Sequence, residues 1–532
     1  MPARPGKAAL FEQLAADGIT HMFGNPGTVE QGFLDLTDSS ATEYVLTLHE
    51  GVAVAMADGY ARAAQRPAVV QLHSGVGLGN GIGLLYQAKR GGSPLVTLVG
   101  EAGVRYDAMD AQMAADLVAM AEPVTKYATR VVDPGSVLRV LRRAVKIAMT
   151  PPRGPVLVVL PADVLDQITT EDAMPTVVPS TRTAAEPSEV ARAAQLLREG
   201  EHPLILMGDG VAASAAQREL TDVAELLGAP VWGVNHSEVN MDTTHPLYAG
   251  QLGHMFGEDS AAVVRDADSV LIVGTYVFPE VFPRLDNPFR KDARIVHVDL
   301  DSYEIAKNHP VDLGLAADPK LTLAALAAEL RARGAVPAAA SPRPVPAAAP
   351  DTPMEHFARE LARQAPEHLA YFDEALTASG PLARHLPPRV PGRFLQTRGG
   401  SLGVGIPGAL GMKLARPDLR VIGFTGDGGS MYTIQALWTA ARHHIGAGFV
   451  ICNNRRYRLL DLNIEQYWRE QGLEPHAHPA AFDLSRPDIR FADLARSLGV
   501  EGMRVERPEQ VECAVRRLLT HDGPFLVDLI TE

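Results

Sequence analysis

Three features are scarce in this sequence of 532 residues: cysteine, surplus positive charge and long apolar runs. Only Cys452 and Cys513 occur, too few for a disulfide framework or a cysteine-built zinc site, and two thiols fit a reducing compartment. Acidic residues (63) outnumber Lys and Arg (49), and the net charge of −14 disfavours nucleic acid and anionic membranes as partners. No stretch approaches the roughly 18–20 apolar residues that span a bilayer, and Met1–Leu10 has no secretory-signal pattern. We expect a cytoplasmic protein without nucleic-acid or membrane partners.

The chain is too long for one hydrophobic core, since single cores stop growing near roughly 250–300 residues. Two segments rich in Pro, Ala, Ser and Thr show neither a helical nor a strand period: Thr169–Pro187 and Gly334–Pro353. Such composition is typical of linkers. The sequence therefore predicts three domains, at residues 1–180, 185–335 and 354–532.

Short β-branched runs alternate with longer amphipathic stretches such as Ser188–Arg198 and Pro319–Arg333. The runs predicted as strands are Ala68–Leu72, Leu95–Val99, Pro155–Leu160, Leu204–Met207, Ser269–Val273, Arg294–Val298, Arg420–Phe424, Gly448–Cys452 and Pro524–Leu529. This alternation favours parallel sheets covered by helices on both faces, so the predicted fold class is α/β with three doubly wound domains. Ligands of such sheets lie beyond the carboxyl ends of the strands.

The segment 420–458 places two polar turns at the carboxyl ends of two predicted strands. The motif GDGG at 426–429 follows the first strand, and a double Asn at 453–454 follows the second, 27 residues after the first glycine. Carboxylate and amide oxygens suit Mg²⁺, and glycines let backbone N–H groups approach a phosphate. The pattern indicates a magnesium-diphosphate site, and the alternative is a plain strand-turn-helix with a polar loop.

Two similar patterns are interpreted differently. The motif GDG at 208–210 also follows an apolar run, and Asn235 lies 27 residues after its first glycine, but the third glycine and the paired Asn are missing. We interpret it as an ordinary strand-to-helix turn. The motif at 403–408 satisfies GxGxxG, yet the next strand carries its acid inside GDGG, so a dinucleotide site is not favoured.

Two further candidates lie in the first domain. Glu50 opens a run of small residues and is either a surface Glu or a ligand-facing acid, since burying it requires hydrogen-bond partners. His73 ends a predicted strand and is either structural or a proton donor beside a cofactor. A zinc motif HExxH is excluded because Ala53 stands where the second His would be, and no GxSxG surrounds Ser74.

Taken in chain order, five segments resemble those of the thiamine-diphosphate-dependent enzymes: GNPGT, LHEGVAVAMADGYA, LHSGVGLGN, RGGSLGVGIPGALG and GDGGS followed by the double Asn. The resemblance covers essentially the whole chain and is closest to the benzoylformate decarboxylase subfamily. It implies pyrimidine-binding, central and diphosphate-binding domains, with thiamine diphosphate and Mg²⁺ as cofactors. It also implies active sites shared between subunits, hence a homodimer at minimum and a homotetramer as the expected assembly.

The resemblance implies non-oxidative decarboxylation of a 2-keto acid and assigns three catalytic residues. Glu50 is expected to hydrogen-bond the aminopyrimidine N1′ of the cofactor. His73 and Thr28 are expected over its reactive C2, as proton-transfer and substrate-orienting groups.

The same resemblance implies the cofactor-binding residues of the third domain. Mg²⁺ is expected on Asp427, Asn454 and the main-chain carbonyl of Arg456. The Gly400 carbonyl is expected to accept from the 4′-amino group, and Leu402 to bend the cofactor. The remaining expected cofactor-binding residues are Gly426, Gly428, Gly429, Ser430 and Tyr432.

Three departures from the family pattern bear on the substrate. Thr28 stands where the family has Ser, and the segment Thr275–Arg284 lacks the expected second catalytic His. Arginines replace small residues at 455, 456 and 458, adding positive charge near the cofactor or facing solvent. The missing His favours an alternative, a carboligase or lyase of the same superfamily acting on 2-keto acids or aldehydes. A catalytically silent cofactor-binding paralogue is the other alternative, against which Glu50 and the GDGG motif argue.

Overall fold

The computed structural model describes residues 3–253, 255–337 and 352–532. The chain divides into two compact units. The first unit comprises Met1–Pro179, Pro350–Leu386 and Thr397–Glu532, and the second comprises Ser180–Ala349 and Pro387–Gln396. The predicted linker at 334–353 falls largely on residues 338–351, which lie outside the described residues. The three domain boundaries stay a prediction.

The N-terminal part of the first unit contains a six-stranded parallel sheet. The strands of this part of the chain, including two outside that sheet, are β1 (Arg4–Pro5), β2 (His21–Gly24), β3 (Glu43–Leu46), β4 (Ala68–His73), β5 (Leu95–Glu101), β6 (Tyr127–Arg130), β7 (Val156–Pro161) and β8 (Ile168–Thr169). Its helices are α1 (Gly6–Ala16), α2 (Gln31–Leu34), α3 (Glu50–Ala64), α4 (Ser74–Gly91), α5 (Leu117–Ala121), α6 (Val137–Met149) and α7 (Ala162–Leu165). The sheet order is β3-β2-β4-β5-β7-β6, and β1 pairs separately with β8 in the antiparallel sense.

The second unit contains another six-stranded parallel sheet, ordered β11-β10-β9-β12-β13-β14. Its strands are β9 (Pro203–Met207), β10 (Val231–Gly233), β11 (Tyr248–Gln251), β12 (Ser269–Val273), β13 (Arg294–Asp299) and β14 (Leu313–Ala316). Its helices are α8 (Pro187–Arg198), α9 (Gly210–Ala213), α10 (Gln217–Leu227), α11 (Gly257–Val264) and α12 (Pro319–Ala332). Helix α12 begins where predicted because the Asp318 carboxylate caps it, accepting from the Leu321 N–H.

The third six-stranded sheet includes the parallel run β15-β17-β18-β20-β19. The strands are β15 (Leu369–Glu374), β16 (Phe394–Gln396), β17 (Arg420–Gly426), β18 (Gly448–Asn453), β19 (Glu501–Val505) and β20 (Phe525–Ile530). The helices are α13 (Pro353–Gln364), α14 (Ser379–His385), α15 (Gly405–Ala415), α16 (Asp427–Ser430), α17 (Ala436–Arg442), α18 (Arg458–Gln471), α19 (Phe491–Ser497) and α20 (Val511–Thr520).

The predicted fold class is confirmed, since three parallel-sheet α/β domains are present. Each predicted strand overlaps an observed one, because buried parallel strands are continuous apolar runs that a sequence displays directly. Residues 170–186, within the first predicted linker, carry neither helix nor strand. Among the described residues, no helix is both long and apolar enough to cross a bilayer.

Helices α3 and α15 pack closely against each other within the first unit, and glycines make this possible. A Cβ atom at Gly59 would overlap the backbone of Gly408, and one at Gly411 would overlap the Met56 carbonyl. The glycines of the GxGxxG motif are also close-packed, since a Cβ atom at Gly405 would overlap the Phe424 carbonyl and one at Gly408 would overlap the Phe372 ring.

Candidate active site

The first group of candidate side chains lies at the carboxyl edge of the first sheet and includes Glu50. Helix α3 begins at Glu50, whose side chain is buried. One carboxylate oxygen accepts from Asn25 Nδ2 (3.1 Å) and the other from Asn80 Nδ2 (3.0 Å). Glu50 is therefore not a surface residue: two amides orient its carboxylate. Asn25 follows β2 and Asn80 lies on α4, and neither was selected from the sequence.

His73 is the last residue of β4 and is held by a carboxylate that sequence reasoning missed. Its Nδ1 lies 2.9 Å from Oε2 of Glu30, whose side chain is fully buried. Burial raises the pKa of Glu30, and the hydrogen bond to His73 opposes that shift. A Cβ atom at Gly27 would overlap the His73 ring, which explains the glycine of GNPGT. With Nδ1 engaged, the second ring nitrogen is the one that can exchange a proton with a ligand.

Thr28 opens the short turn that carries Glu30 and is exposed at the same edge. It lines a cavity of about 450 Å³ together with Phe33 and Tyr106. The structure thus brings Thr28, His73 and Glu50 to one edge of one sheet.

The second group lies at the carboxyl edge of the third sheet, where Asp427 opens α16 directly after β17. Its Oδ1 accepts from the Gly428 N–H (2.7 Å). Its Oδ2 is buried without a hydrogen-bond partner. Burial raises the pKa of Asp427 to about 6, while neighbouring backbone N–H groups oppose the shift.

Asn454 lies beside this carboxylate because β17 and β18 are adjacent, with Gly426 opposite Cys452 in register. Its Oδ1 accepts from the Arg456 N–H (3.0 Å), so the turn after β18 is closed by the side chain expected to bind the metal. The other Asn of the pair, Asn453, donates to Asp528 (2.9 Å) inside the sheet and is structural.

These residues fit a divalent cation. A buried carboxylate oxygen without a donor is costly, and a metal ion would satisfy Asp427 Oδ2. One carboxylate, one amide and one main-chain carbonyl are oxygen ligands of the kind that Mg²⁺ takes. Within the described part of the chain no group of three or more His, Cys, Asp or Glu residues is placed to hold a metal.

The remaining residues of the GDGG motif have mixed surroundings. A Cβ atom at Gly428 would overlap the Tyr457 ring, and one at Gly429 would lie 3.2 Å from Thr425 Oγ1, whereas Gly426 faces open space. Ser430 is buried and donates to the Asp427 carbonyl (2.7 Å). A further candidate cofactor residue, Tyr432, has 55% of its surface exposed.

The segment that carries Gly400 and Leu402 is tied to the sheet by Glu374, which sequence reasoning also missed. Glu374 ends β15, is fully buried, and accepts from the N–H groups of Gly403 (2.6 Å) and Gly405 (2.7 Å) and from the Thr425 hydroxyl (3.0 Å). Burial raises the pKa of Glu374 to about 7. Gly400 has φ +80°, a conformation that favours glycine, and is exposed.

The three arginines after the double Asn are ion-paired. Arg456 makes two hydrogen bonds to the buried carboxylate of Asp461 (2.8 and 2.9 Å), and its guanidinium lowers the pKa of Asp461. Arg458 also lies near Asp461 (3.7 Å), and Arg455 lies 3.2 Å from Asp488. Their charge is therefore neutralised locally, and the Arg456 pairing holds the backbone whose carbonyl is a candidate metal ligand.

The second GDG motif, at 208–210, has different hydrogen bonds, and they fit an ordinary strand-to-helix turn. The carboxylate of Asp209 accepts from the Ser237 N–H (2.9 Å) and hydroxyl (2.5 Å) and from Asn240 Nδ2 (3.0 Å). Donors of the protein thus already occupy both Asp209 oxygens, whereas Asp427 retains a buried oxygen without a partner.

Comparison with known proteins agrees with this geometry. Three family models match: the thiamine pyrophosphate enzyme N-terminal TPP binding domain at residues 4–120, the central domain at 190–326 and the C-terminal TPP binding domain at 377–529. Benzoylformate decarboxylase of Pseudomonas aeruginosa is 31% identical, with 99% of this chain and 98% of the relative aligned. The chain belongs to the thiamine pyrophosphate enzyme family.

Other relatives span two kinds of chemistry within this family. A probable acetolactate synthase large subunit of Methanocaldococcus jannaschii is 29% identical, covering 99% of this chain and 92% of that protein. The solved thiamine diphosphate-dependent 4-hydroxybenzoylformate decarboxylase of Rhodococcus jostii RHA1 superposes with a TM-score of 0.88, at 29% identity and 99% coverage of both chains. The predicted family is confirmed. The protein is a thiamine-diphosphate-dependent enzyme of the superfamily that contains decarboxylases and acetolactate synthases.

Proposed function

We propose that this protein is a thiamine-diphosphate- and Mg²⁺-dependent, non-oxidative decarboxylase of a 2-keto acid. The observation that carries the proposal is the pairing of His73 with the buried Glu30 at the edge where Thr28 and Glu50 also lie. Decarboxylation ends with proton delivery to carbon, and a His held by a carboxylate is suited to deliver it.

The third domain would hold the cofactor through its diphosphate. Asp427, Asn454 and the Arg456 carbonyl would bind Mg²⁺, which neutralises diphosphate charge, and the glycines of 426–429 allow backbone N–H groups to approach the phosphates. When bound, thiamine diphosphate supplies a thiazolium that accepts the electrons released as CO₂ leaves.

The first domain would supply the acid–base groups. Glu50, oriented by Asn25 and Asn80, would hydrogen-bond the aminopyrimidine and hold the proton at its N1′. The Thr28 hydroxyl would orient the substrate. His73 would give its proton to the carbon from which CO₂ has left, and the Glu30 carboxylate would stabilise the protonated imidazole before that transfer.

The decisive experiment is a panel of aliphatic and aromatic 2-keto acids tested with chelator-stripped protein. We expect CO₂ release to return only when Mg²⁺ and thiamine diphosphate are both added. Absence of CO₂ from every keto acid would overturn the decarboxylase proposal, even if the cofactor binds.

Carboligation is the second candidate, because the segment Thr275–Arg284 contains no His and acetolactate synthases are among the relatives. In the same panel, an acyloin or acetohydroxy acid as the main product would favour this candidate. Cofactor binding without turnover of any substrate would instead indicate the silent paralogue.

We also propose a homotetramer built from dimers that share their active sites, in the cytoplasm. Both cysteines are free thiols, as a reducing compartment requires. Light scattering coupled to size-exclusion chromatography tests the assembly, and a monomer active at high dilution would contradict it.

A further inference from the structure

The second unit contains a cavity of about 350 Å³ that the proposed function does not use. Its walls are two loops, one after β12 that carries Phe278, Glu280 and Arg284, and one after β13 that carries Lys307 and His309. Strands β12 and β13 are parallel neighbours, so both loops leave the same edge of the sheet. Ligands of doubly wound sheets bind at this edge, and the volume is that of a small-molecule site.

Glu280 is the unexplained group of this cavity. Its side chain is 7% exposed, and neither carboxylate oxygen has a hydrogen-bond partner in the structure. A buried carboxylate without donors is unfavourable by several kcal/mol, so native proteins supply donors from the chain, from water or from a ligand.

The side chains of Arg284 and Asn308, which also line the cavity, donate to groups other than Glu280. The Arg284 guanidinium is taken up by Asp286 (2.7 and 2.8 Å) and Glu258 (2.8 Å). The Asn308 amide donates to the Val277 carbonyl (3.1 Å). The wall of the cavity therefore presents an acceptor that no donor among the described residues of this unit matches.

Lys307, on the loop after β13, adds a positive charge to the lining of the cavity. Its Nζ lies 3.1 Å from Glu304 and 4.0 Å from the centre of the Tyr276 ring. An ammonium has three donors and, among the described residues, Glu304 is the carboxylate that Lys307 pairs with, so Lys307 can also bind an anionic group. A complementary ligand carries N–H donors at one end and a carboxylate at the other.

We propose that this cavity binds a small zwitterion of the α-amino acid type, with its ammonium on Glu280 and its carboxylate toward Lys307. The apolar wall formed by Phe278, Pro283 and Pro288 would contact the side chain of the ligand. The site is formed by the second unit alone and does not rest on the proposed decarboxylase function.

The test is calorimetric titration of the full-length protein with each of the common α-amino acids. Butylammonium and butyrate serve as probes for the two halves of the zwitterion. We expect at least one amino acid to bind with a Kd below about 1 mM, more tightly than either half-ligand. Binding of butylammonium as tight as that of any amino acid, or of none of these probes, would overturn the proposal.

Two variants test whether the amino acid binds in this cavity. Glu280→Gln keeps the shape but removes the charge, and should weaken amino acid binding about tenfold or more, since hydrogen bonds to charged groups contribute about 1.5–3 kcal/mol. Lys307→Met tests the carboxylate end independently and should weaken the same ligand. Glu189→Gln on α8, an exposed side chain, is the matched control and should leave the Kd unchanged. Unchanged binding in either Glu280→Gln or Lys307→Met would refute the assignment.

Discussion

Glu50 and Glu30 are both buried carboxylates of the first domain, and they differ in how their oxygens are satisfied. Both oxygens of Glu50 accept from amide side chains, whereas Glu30 binds His73 through one oxygen and its other oxygen has no partner. In the first arrangement two amides orient the carboxylate, and in the second a buried acid holds the His73 ring. These two environments support the distinct roles in proton transfer proposed above.

Replacing Glu50 with Gln is expected to slow exchange of the cofactor C2 proton by about 100-fold, the lower end of what acid–base groups contribute. The change removes the acid but keeps the shape between Asn25 and Asn80. Quenched-flow exchange into D₂O followed by NMR measures the rate. Glu122→Gln, at an exposed position, is the control. An exchange rate equal to that of the wild type would remove Glu50 from the proposed site.

Replacing His73 with Ala is expected to reduce kcat for keto acid decarboxylation by about 100-fold while changing cofactor affinity little. Glu30→Gln should act in the same direction, because the carboxylate that holds the His73 ring is lost. Steady-state kinetics against pH and cofactor titration measure both. Equal loss of turnover and cofactor affinity in His73→Ala would show that the His is structural.

At the scale of elements, two connections hold the candidate site on its scaffold. Strand β15 is tied to the start of α15 by Glu374, and α3 is packed on α15 through glycines. Both connect segments that lie far apart in the sequence. The segment 403–411 is therefore held by contacts with β15 and α3.

Ionisation of Glu374 should make the protein less stable as pH rises. Its folded-state pKa of about 7 exceeds the ordinary value of 4.5, so the folded state favours the protonated acid. The resulting stabilisation is full below pH 4.5 and is lost as pH rises through about 7, with a magnitude on the order of 3 kcal/mol.

Denaturant unfolding of wild type and Glu374→Gln at about pH 5 and about pH 8 measures this effect. The wild type should lose more unfolding free energy between these pH values than the variant, whatever the absolute stability of the variant. Glu512→Gln, an exposed position on α20, should keep the wild-type pH dependence. Equal dependence in wild type and Glu374→Gln would contradict the assignment.

Gly411→Ala should destabilise the protein by about 1–3 kcal/mol, because its Cβ would overlap the Met56 carbonyl and force α3 and α15 apart. Gly79→Ala on α4 is the matched control, since nothing lies within 4 Å of its Cβ position. Gly79→Ala should be neutral or stabilising by about 0.5–1 kcal/mol. Thermal and denaturant unfolding compare the pair, and equal stabilities would argue against close packing at Gly411.

At the scale of the whole molecule, three similar sheets carry different chemistry at the same kind of edge. Two of them end strands in Gly-Asp-Gly, yet donors occupy both oxygens of Asp209 while one buried oxygen of Asp427 has none. The repeated architecture explains why spacing alone could not separate the two motifs. Of the two aspartates, Asp427 is the one that can bind a metal, because one of its buried oxygens has no hydrogen-bond donor.

Thiamine diphosphate with Mg²⁺ should stabilise the wild-type protein against heat, by about 2.7 kcal/mol at a ligand concentration of 100 Kd. Asp427→Asn should abolish most of this stabilisation because the charged metal ligand is lost. Asp209→Asn should lower the Tm of the free protein but keep the cofactor-induced increase. Scanning fluorimetry with and without cofactor compares the three proteins. A cofactor response that depends on Asp209 instead of Asp427 would contradict the site.

Much of the architecture could be predicted because its signals are local. Predicted strands such as Ser269–Val273 coincide with β12, since a buried parallel strand is a continuous apolar run. The edge that carries Asp427 and Asn454 follows from parallel order. Glu30 and Glu374 were missed because each is a single polar residue outside the quoted motifs, and Asn80 was missed because nothing in its motif shows which side chain it contacts.

The sequence alone determined the fold class and the family, because apolar period and motif order are properties of the chain itself. Only the tertiary structure decided which buried carboxylates accept hydrogen bonds and which residues donate them. Glu30 reaches His73 across 43 residues, and Glu374 reaches Gly403 across 29. Hydrogen bonds between side chains and distant backbone depend on how sheets and helices pack, and no local pattern in the sequence records that packing.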